Sequence, residues 1–220
     1  EKGLRAFNAD VIVDHCAFAD EIDMDIIQTS MTILYTEFSC TLAIKTDNAT
    51  IFINNSNIHQ ADTGIHATSS TITVHNTTFE NNSESMKVVQ GTVSLKSCIF
   101  SNNTESIFYD ALVHIQSSTF SGNAFALHLY NSSGTLSENN FMSNLRAVVL
   151  ENGTSIDMVN LTIYENEYGI IVNTSASRIY GGTYFNNSCA ITLTGNDNRI
   201  TNVLFHHNSK GVVIEGDNNT

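Results

Sequence analysis

Eleven Asn-x-Ser/Thr triplets are the residues of this chain whose type and spacing point most directly to chemistry. They begin at Asn48, Asn54, Asn76, Asn81, Asn102, Asn131, Asn152, Asn160, Asn173, Asn186 and Asn218. Such a triplet is the acceptor of an N-linked glycan, attached through the asparagine amide. With 47 Ser and Thr among 220 residues, the 27 asparagines would give about six triplets by chance. Asn48, Asn131, Asn152 and Asn173 also return at one place in a repeat, ten or eleven residues after an anchoring position. The excess and the shared place predict sugar on exposed turns at several of these sites, although a turn-rich composition supplies part of the excess. The implied partner is a covalent glycan. The implied location is secreted or at a cell surface.

Other reactive side chains make weaker cases. Asp20, Glu21, Asp23 and Asp25 crowd one segment and are the only candidates for Ca²⁺, but their spacing matches no EF-hand loop, and a solvated acidic loop is the plainer reading. His206 and His207 adjoin each other with no third ligand placed by the repeat, so no zinc site is expected. Between Ala61 and Tyr130 the acids are Asp62, Glu80, Glu84, Glu105 and Asp110, at unlike places in the repeat, so no carboxylate pair for glycoside hydrolysis is expected. No Asp-Asp pair, Gly-His-Gly, phosphate-binding glycine loop or nucleophile elbow occurs. Tyr164, Tyr168, Tyr180 and Tyr184 fall in two consecutive repeats and offer a stacking patch for a sugar, set against ordinary sheet-surface aromatics. The expectation is therefore no catalytic residue and no cofactor. A polysaccharide-binding or carbohydrate-active protein is the alternative.

Composition narrows the classes further. The net charge of −13 comes from 22 acidic against 9 basic residues, so the phosphate-neutralising stripe of a nucleic-acid binder is absent. No apolar run approaches the length of about 18 residues that marks a membrane helix. Proline and tryptophan are missing, while Asn, Ser and Thr number 27, 23 and 24, a bias that suits tight turns and stacked polar side chains. Cys16, Cys40, Cys98 and Cys189 are too scattered for a disulfide framework or a zinc site.

What must position these residues is a repeat of about 21. Thr71 to Asn82 contains the unit: Ile72 and Val74 alternate with polar residues, Phe79 follows, and Asn82 comes three later. Anchors equivalent to Phe79 fall at Phe18, Phe38, Ile58, Phe100, Phe120, Phe141, Ile163, Phe185 and Phe205. Five residues before them stand Val13, Ile33, Ile53, Val74, Leu95, Ile115, Leu136, Met158, Tyr180 and Ile200, with Ile179 beside the one non-aliphatic member. Small residues precede the anchors by two, so Cys16 and Cys98 read as buried thiols. Cys16 and Cys40, at non-equivalent places in adjacent repeats, are poorly set to bridge. A second strand follows each anchor, for example Ile107 and Tyr109, or Leu127 and Leu129. In the repeat of Phe185 it comes one place early, at Ile191 and Leu193, together with Asn187. Gly64, Gly169 and Gly211 open this strand, where glycine suits a left-handed turn.

Asn82, Asn103, Asn123, Asn144, Asn166 and Asn208 form their own column, which reads as an asparagine ladder. The first three repeats have Glu21, Thr41 and Ala61 there instead. A fixed short period with period-2 strands predicts an all-β parallel β-helix of about ten coils of 20–22 residues, one domain over 1–220. The recurring F-x-x-N, from Phe79 to Asn82, Phe100 to Asn103, Phe120 to Asn123, Phe141 to Asn144 and Phe205 to Asn208, resembles right-handed parallel β-helix repeat proteins. Among these it is similar to surface proteins of the polymorphic outer-membrane type, although their companion GGA-I motif is missing. The resemblance implies a right-handed solenoid and nothing about activity. Both ends fall inside a repeat and read as a segment of a longer solenoid or a subunit without caps, so self-association, as a fibril or homopolymer, is a further expectation.

Overall fold

Apart from 39–41, each described corner of this chain is turned by a residue in left-handed backbone. The computed structural model describes residues 2–19 and 22–220. Among these, 27 non-glycine residues have positive φ, from +44° to +64°. For an L-residue this region costs about 1–2 kcal/mol, least for Asn, whose short amide bonds locally. Twelve of the 27 are asparagines, which is one physical origin of the asparagine-rich composition.

Between these corners run three parallel sheets. Sheet A has eleven strands, from Lys2–Phe7 to Lys210–Ile214, and sheets B and C have ten each, from Asp10–Asp14 to Arg199–Thr201 and from Ala17–Phe18 to Leu204–His206. Every strand pairs with its equivalent one coil away. The chain is therefore the parallel β-helix that the period predicts, with three strands per coil.

The interior is built in columns. In sheet C the register runs Phe18, Phe38, Ile58, Phe79, Phe100, Phe120, Phe141 and Ile163. The rings of Phe79, Phe100, Phe120 and Phe141 stack with centroids 4.6, 4.7 and 4.7 Å apart. The next member is Tyr184, not Phe185: Ile163 pairs with Tyr184, and Tyr184 with Phe205. Phe185 points outward, stacked between Tyr164 and His206. With Tyr184 as anchor, Ile179 rather than Tyr180 is the inward residue of sheet B, and Asn187, Ile191 and Leu193 stand in register instead of one place early.

Tyr184 brings a hydroxyl into an apolar column. Its oxygen is buried without a hydrogen-bond partner, and burial pushes the phenol pKa far up. A buried unsatisfied hydroxyl costs about 1–3 kcal/mol. Tyr184→Phe is expected to raise stability by about 1–2 kcal/mol, read as a higher urea midpoint at unchanged slope.

Polar ladders line all three corners. After the sheet C strand, Asn82, Asn103, Asn123, Asn144, Asn166, Asn187 and Asn208 each lend a side-chain oxygen to a backbone N–H one coil back. The expected ladder is thus continuous through Asn187. Before the anchors, the small residues do more than fill space. Ser56 accepts from the Thr36 N–H, Ser118 from the Cys98 N–H, and Asn139 from the Ser118 N–H. At the third corner Ser70, Ser132 and Asn198 serve the N–H groups of Ala49, Ala111 and Ser177.

Two expectations about the second strand change. The strand Glu105–Tyr109 is one residue shorter than its neighbours, and the register slips on both sides of it. Phe108, paired with Val88 and Leu129, therefore fills the core, while Ile107 and Tyr109 face outward. Gly64, Gly169 and Gly211 do not have positive φ. At Gly64 and Gly169 a Cβ would lie 2.5 Å and 2.4 Å from a carbonyl of the next coil, so close approach is what requires glycine there.

Candidate functional site

The outer face of sheet A holds a buried histidine between two glutamates. Its central outward column runs Lys87, Ile107, His128, Val149 and Ile171. Outward positions are usually wet, yet Ile107, His128 and Val149 are only 7%, 8% and 4% exposed. Aromatic side chains from the flanking rows pack against this strip. The Phe125 ring lies nearly parallel to His128 at 5.4 Å and carries the Arg146 guanidinium 4.6 Å above its centre. Tyr109 and Tyr130 stack at 4.8 Å, and Tyr130 lies 4.3 Å from the imidazole.

His128 Nδ1 is 2.7 Å from Glu105 Oε1, and Nε2 is 3.5 Å from Glu151 Oε2. Both glutamates stand 23 residues from the histidine, one coil plus two residues. In a sheet that offset makes diagonal neighbours on the same face. Of the acids weighed between Ala61 and Tyr130, Glu84 and Glu105 stand at one place in the coil, paired directly, and Glu105 meets Glu151, which lies beyond that stretch, across His128. Glu151 Oε1 accepts from Asn173 Nδ2 at 3.2 Å. The Tyr130 phenol is pushed up to about 12, by burial first and then by the nearby Glu151 charge. A carboxylate-held imidazole is the arrangement of an oriented base or of a metal ligand. Here Nε2 is buried, and the 3.5 Å that separates it from Glu151 Oε2 is an ion-pair distance rather than a hydrogen bond.

The sequence reading missed His128 by weighing equivalent coil positions alone. The usable signal was the spacing of 23, which joins Glu105, His128 and Glu151 across three coils.

The other candidates fare differently. Asp20 and Glu21 lie outside the described residues, as does the Asp23 side chain. Asp25 is buried, with Arg5 Nε 3.6 Å away. Among the described residues no three His, Cys, Asp or Glu form a complete metal-ligand set. His206 and His207 are exposed, their Nδ1 atoms 3.0 Å apart. The four tyrosines do not form a patch: Tyr184 is interior, Tyr180 is on sheet B, Tyr164 on sheet C and Tyr168 on sheet A. Cys98 is a buried thiol, pushed up to about 11 by desolvation. Cys16 is exposed instead of buried, since it stands in the first described coil with one column neighbour rather than two.

The glycan-acceptor asparagines share one local geometry. Asn48, Asn76, Asn81, Asn102, Asn131, Asn152, Asn160, Asn186 and Asn218 all have positive φ and all are exposed. Asn54 and Asn173 are the exceptions, both at strand ends. Asn173 pairs with Glu151 and so does not share the place of Asn48 and Asn131. The triplet follows from the turn: a left-handed Asn, then commonly an inward corner residue, then Ser or Thr at or next to the start of the following strand.

Comparison with known proteins places the architecture. The chain matches the family described as the right-handed beta helix region over residues 2–142 and 106–220. No curated protein matches it. Among solved structures it is similar to endopolygalacturonase I from Stereum purpureum, complexed with two galacturonate, at 12% identity and a TM-score of 0.49, covering 95% of this chain and 94% of that one. It is also similar to QnrB1, a plasmid-mediated fluoroquinolone resistance protein, at 9% identity and a TM-score of 0.44, covering 90% and 92%. Neither likeness is strong enough to transfer a function.

Proposed function

From the premise that this chain belongs to the right-handed β-helix family, we propose that it is a non-catalytic, extracellular structural or adhesive glycoprotein. Its solenoid is a rigid rod, and its corners carry N-linked sugar. The observation that carries this reading is the common placement of nine acceptor asparagines, exposed at left-handed turns on all three edges of the rod. There the amide nitrogen lies outside the sheet ladders, and a glycan is accommodated without disturbing the columns.

The test is to secrete the protein from a glycosylating host and measure its intact mass before and after treatment with a peptide N-glycosidase. A mass well above 24.1 kDa that falls on treatment is expected, with occupied peptides drawn mainly from the nine turn sites. A bare mass would sink the glycoprotein reading. The same preparation is expected to leave neutral and acidic polysaccharides intact. Depolymerisation of any of them would favour the carbohydrate-active alternative, with Glu105 and Glu151 the first carboxylates to replace.

A further inference from the structure

We propose that the outer face of sheet B is the interface of an antiparallel dimer, in which the arginines at one end of the rod meet the aspartates at the other end of a second copy. The inference stands apart from the glycoprotein reading and begins with where charge lies. Asp10 and Asp14 point outward from the first strand of this sheet, and Arg178 and Arg199 from the last two. Between these ends, the only outward acid, lysine or arginine residues in its strands are Lys96 and Asp157. The register runs from end to end with no slip. The face is thus one continuous array with opposite charges at its two ends.

Those end charges are poorly used within one copy. Arg178 and Arg199 are both exposed and stand opposite each other in register. Like charges so placed destabilise a sheet. Neither arginine forms an ion pair among the described residues, and neither does Asp10. Large apolar side chains lie exposed in the same strands, Ile12 at 74% and Tyr180 at 51%. Arginine and tyrosine beside a surface otherwise poor in charge are the composition of an interface.

The chain's own charges select the arrangement. A two-fold axis parallel to the strands, between Thr92–Lys96 and Leu112–Gln116, lays each column over itself in reverse order. Arg199 then comes down over Ile12 of the second copy, between its Asp10 and Asp14, and Leu34 faces Tyr180. A two-fold axis along the rod would instead set arginine on arginine and aspartate on aspartate. Ten strands at ~4.8 Å, mostly five residues wide, give a face of roughly 700 Å² per copy. A specific interface buries about 800 Å² on each partner. The contact is isologous, so it closes as a dimer and does not propagate. Of the eleven acceptor asparagines only Asn54 stands in a sheet B strand, and sugar on the turns stays at the rim.

Sedimentation equilibrium of protein made in a non-glycosylating host tests this independently of sugar. At tens of micromolar a mass twice 24.1 kDa is expected, falling toward the monomer as salt is raised. Arg178→Glu with Arg199→Glu, and separately Asp10→Arg with Asp14→Arg, are each expected to weaken the dimer by tenfold or more. All four positions are exposed, so both variants keep the fold. Mixed in equal amounts, the two variants are expected to pair with each other at near-parental affinity, because each clash within a parent becomes a contact between opposite charges. A parent protein that stays monomeric at tens of micromolar overturns the proposal. A dimer indifferent to both reversals does so too, as do variants that fail to pair with each other. A monomer whose Arg178 and Arg199 instead hold an acidic polysaccharide also overturns it.

Discussion

Asn123→Leu is expected to destabilise the protein by about 3–6 kcal/mol, although the side chains are nearly the same size. The reason is what asparagine does in both directions along the rod. Its Oδ1 accepts from the Asn103 backbone N–H at 2.9 Å and from Asn103 Nδ2 at 3.1 Å. Its Nδ2 donates to the Phe100 carbonyl at 3.0 Å and to Asn144 Oδ1 at 2.9 Å. Leucine fills the space and removes all four bonds. The Asn103 N–H and the Phe100 carbonyl lose these partners outright in a site that is 2% exposed at Asn123. Each buried group left unsatisfied costs about 1–3 kcal/mol. Asn123→Asp is the informative companion. It keeps the acceptor but loses the two donors and buries a charge, so its deficit is expected to shrink as pH falls and the carboxyl is protonated. The measurement is the urea midpoint of each variant, at neutral pH and at pH 4. A loss under 1 kcal/mol for leucine would show that the ladder is decorative.

How much of this was legible follows from which interactions repeat at a fixed period. Phe79, Phe100, Phe120 and Phe141 recur because each ring needs one above and below, so chain spacing reports contact. The same holds for Asn82 to Asn166. The slip at Phe185 arose because two aromatics adjoin, and residue type was weighed above register. Asn187 and Ile191, both apparently early by one, carried the correct answer. The serine ladders are hidden because a hydroxyl facing an N–H and a small space-filler look alike in sequence. Ile107 and Tyr109 were turned the wrong way by a one-residue deletion within the strand, which no column average can locate.

The site was harder to see for a different reason. Columns record coil-to-coil equivalence, whereas Glu105, His128 and Glu151 meet on a diagonal across three coils. Their burial also depends on Phe125 and Tyr130, which lie on an outward face where an alternating pattern predicts exposure. A unique constellation on a repetitive frame leaves no periodic trace. The turn asparagines lie at the other extreme: the left-handed corner demands them, so their triplets are easy to find and need the mass measurement to acquire chemical meaning.

The second large effect concerns the core column. Phe100→Ala is expected to cost about 3–5 kcal/mol, toward the upper end of the range for such a truncation. The ring is 1% exposed and stacked on both faces, 4.6 Å from Phe79 and 4.7 Å from Phe120. A cavity is cheapest where neighbours can collapse into it. Here they cannot, since Phe79 and Phe120 belong to strands paired with the strand of Phe100 and held one coil away on either side. The two lost ring contacts add to the transfer and cavity terms. Because each coil touches only its neighbours, the damage is local, and a weakened middle coil divides the rod into two units that need not unfold together. The variant is therefore expected to show a broadened or two-step urea transition where the parent shows one. Phe185→Ala is the control, since that ring stacks outside the sheet on Tyr164 and His206 and its loss should cost no more than about 1 kcal/mol. Equal penalties for the two variants would place Phe185 back in the core column and overturn the register through Tyr184.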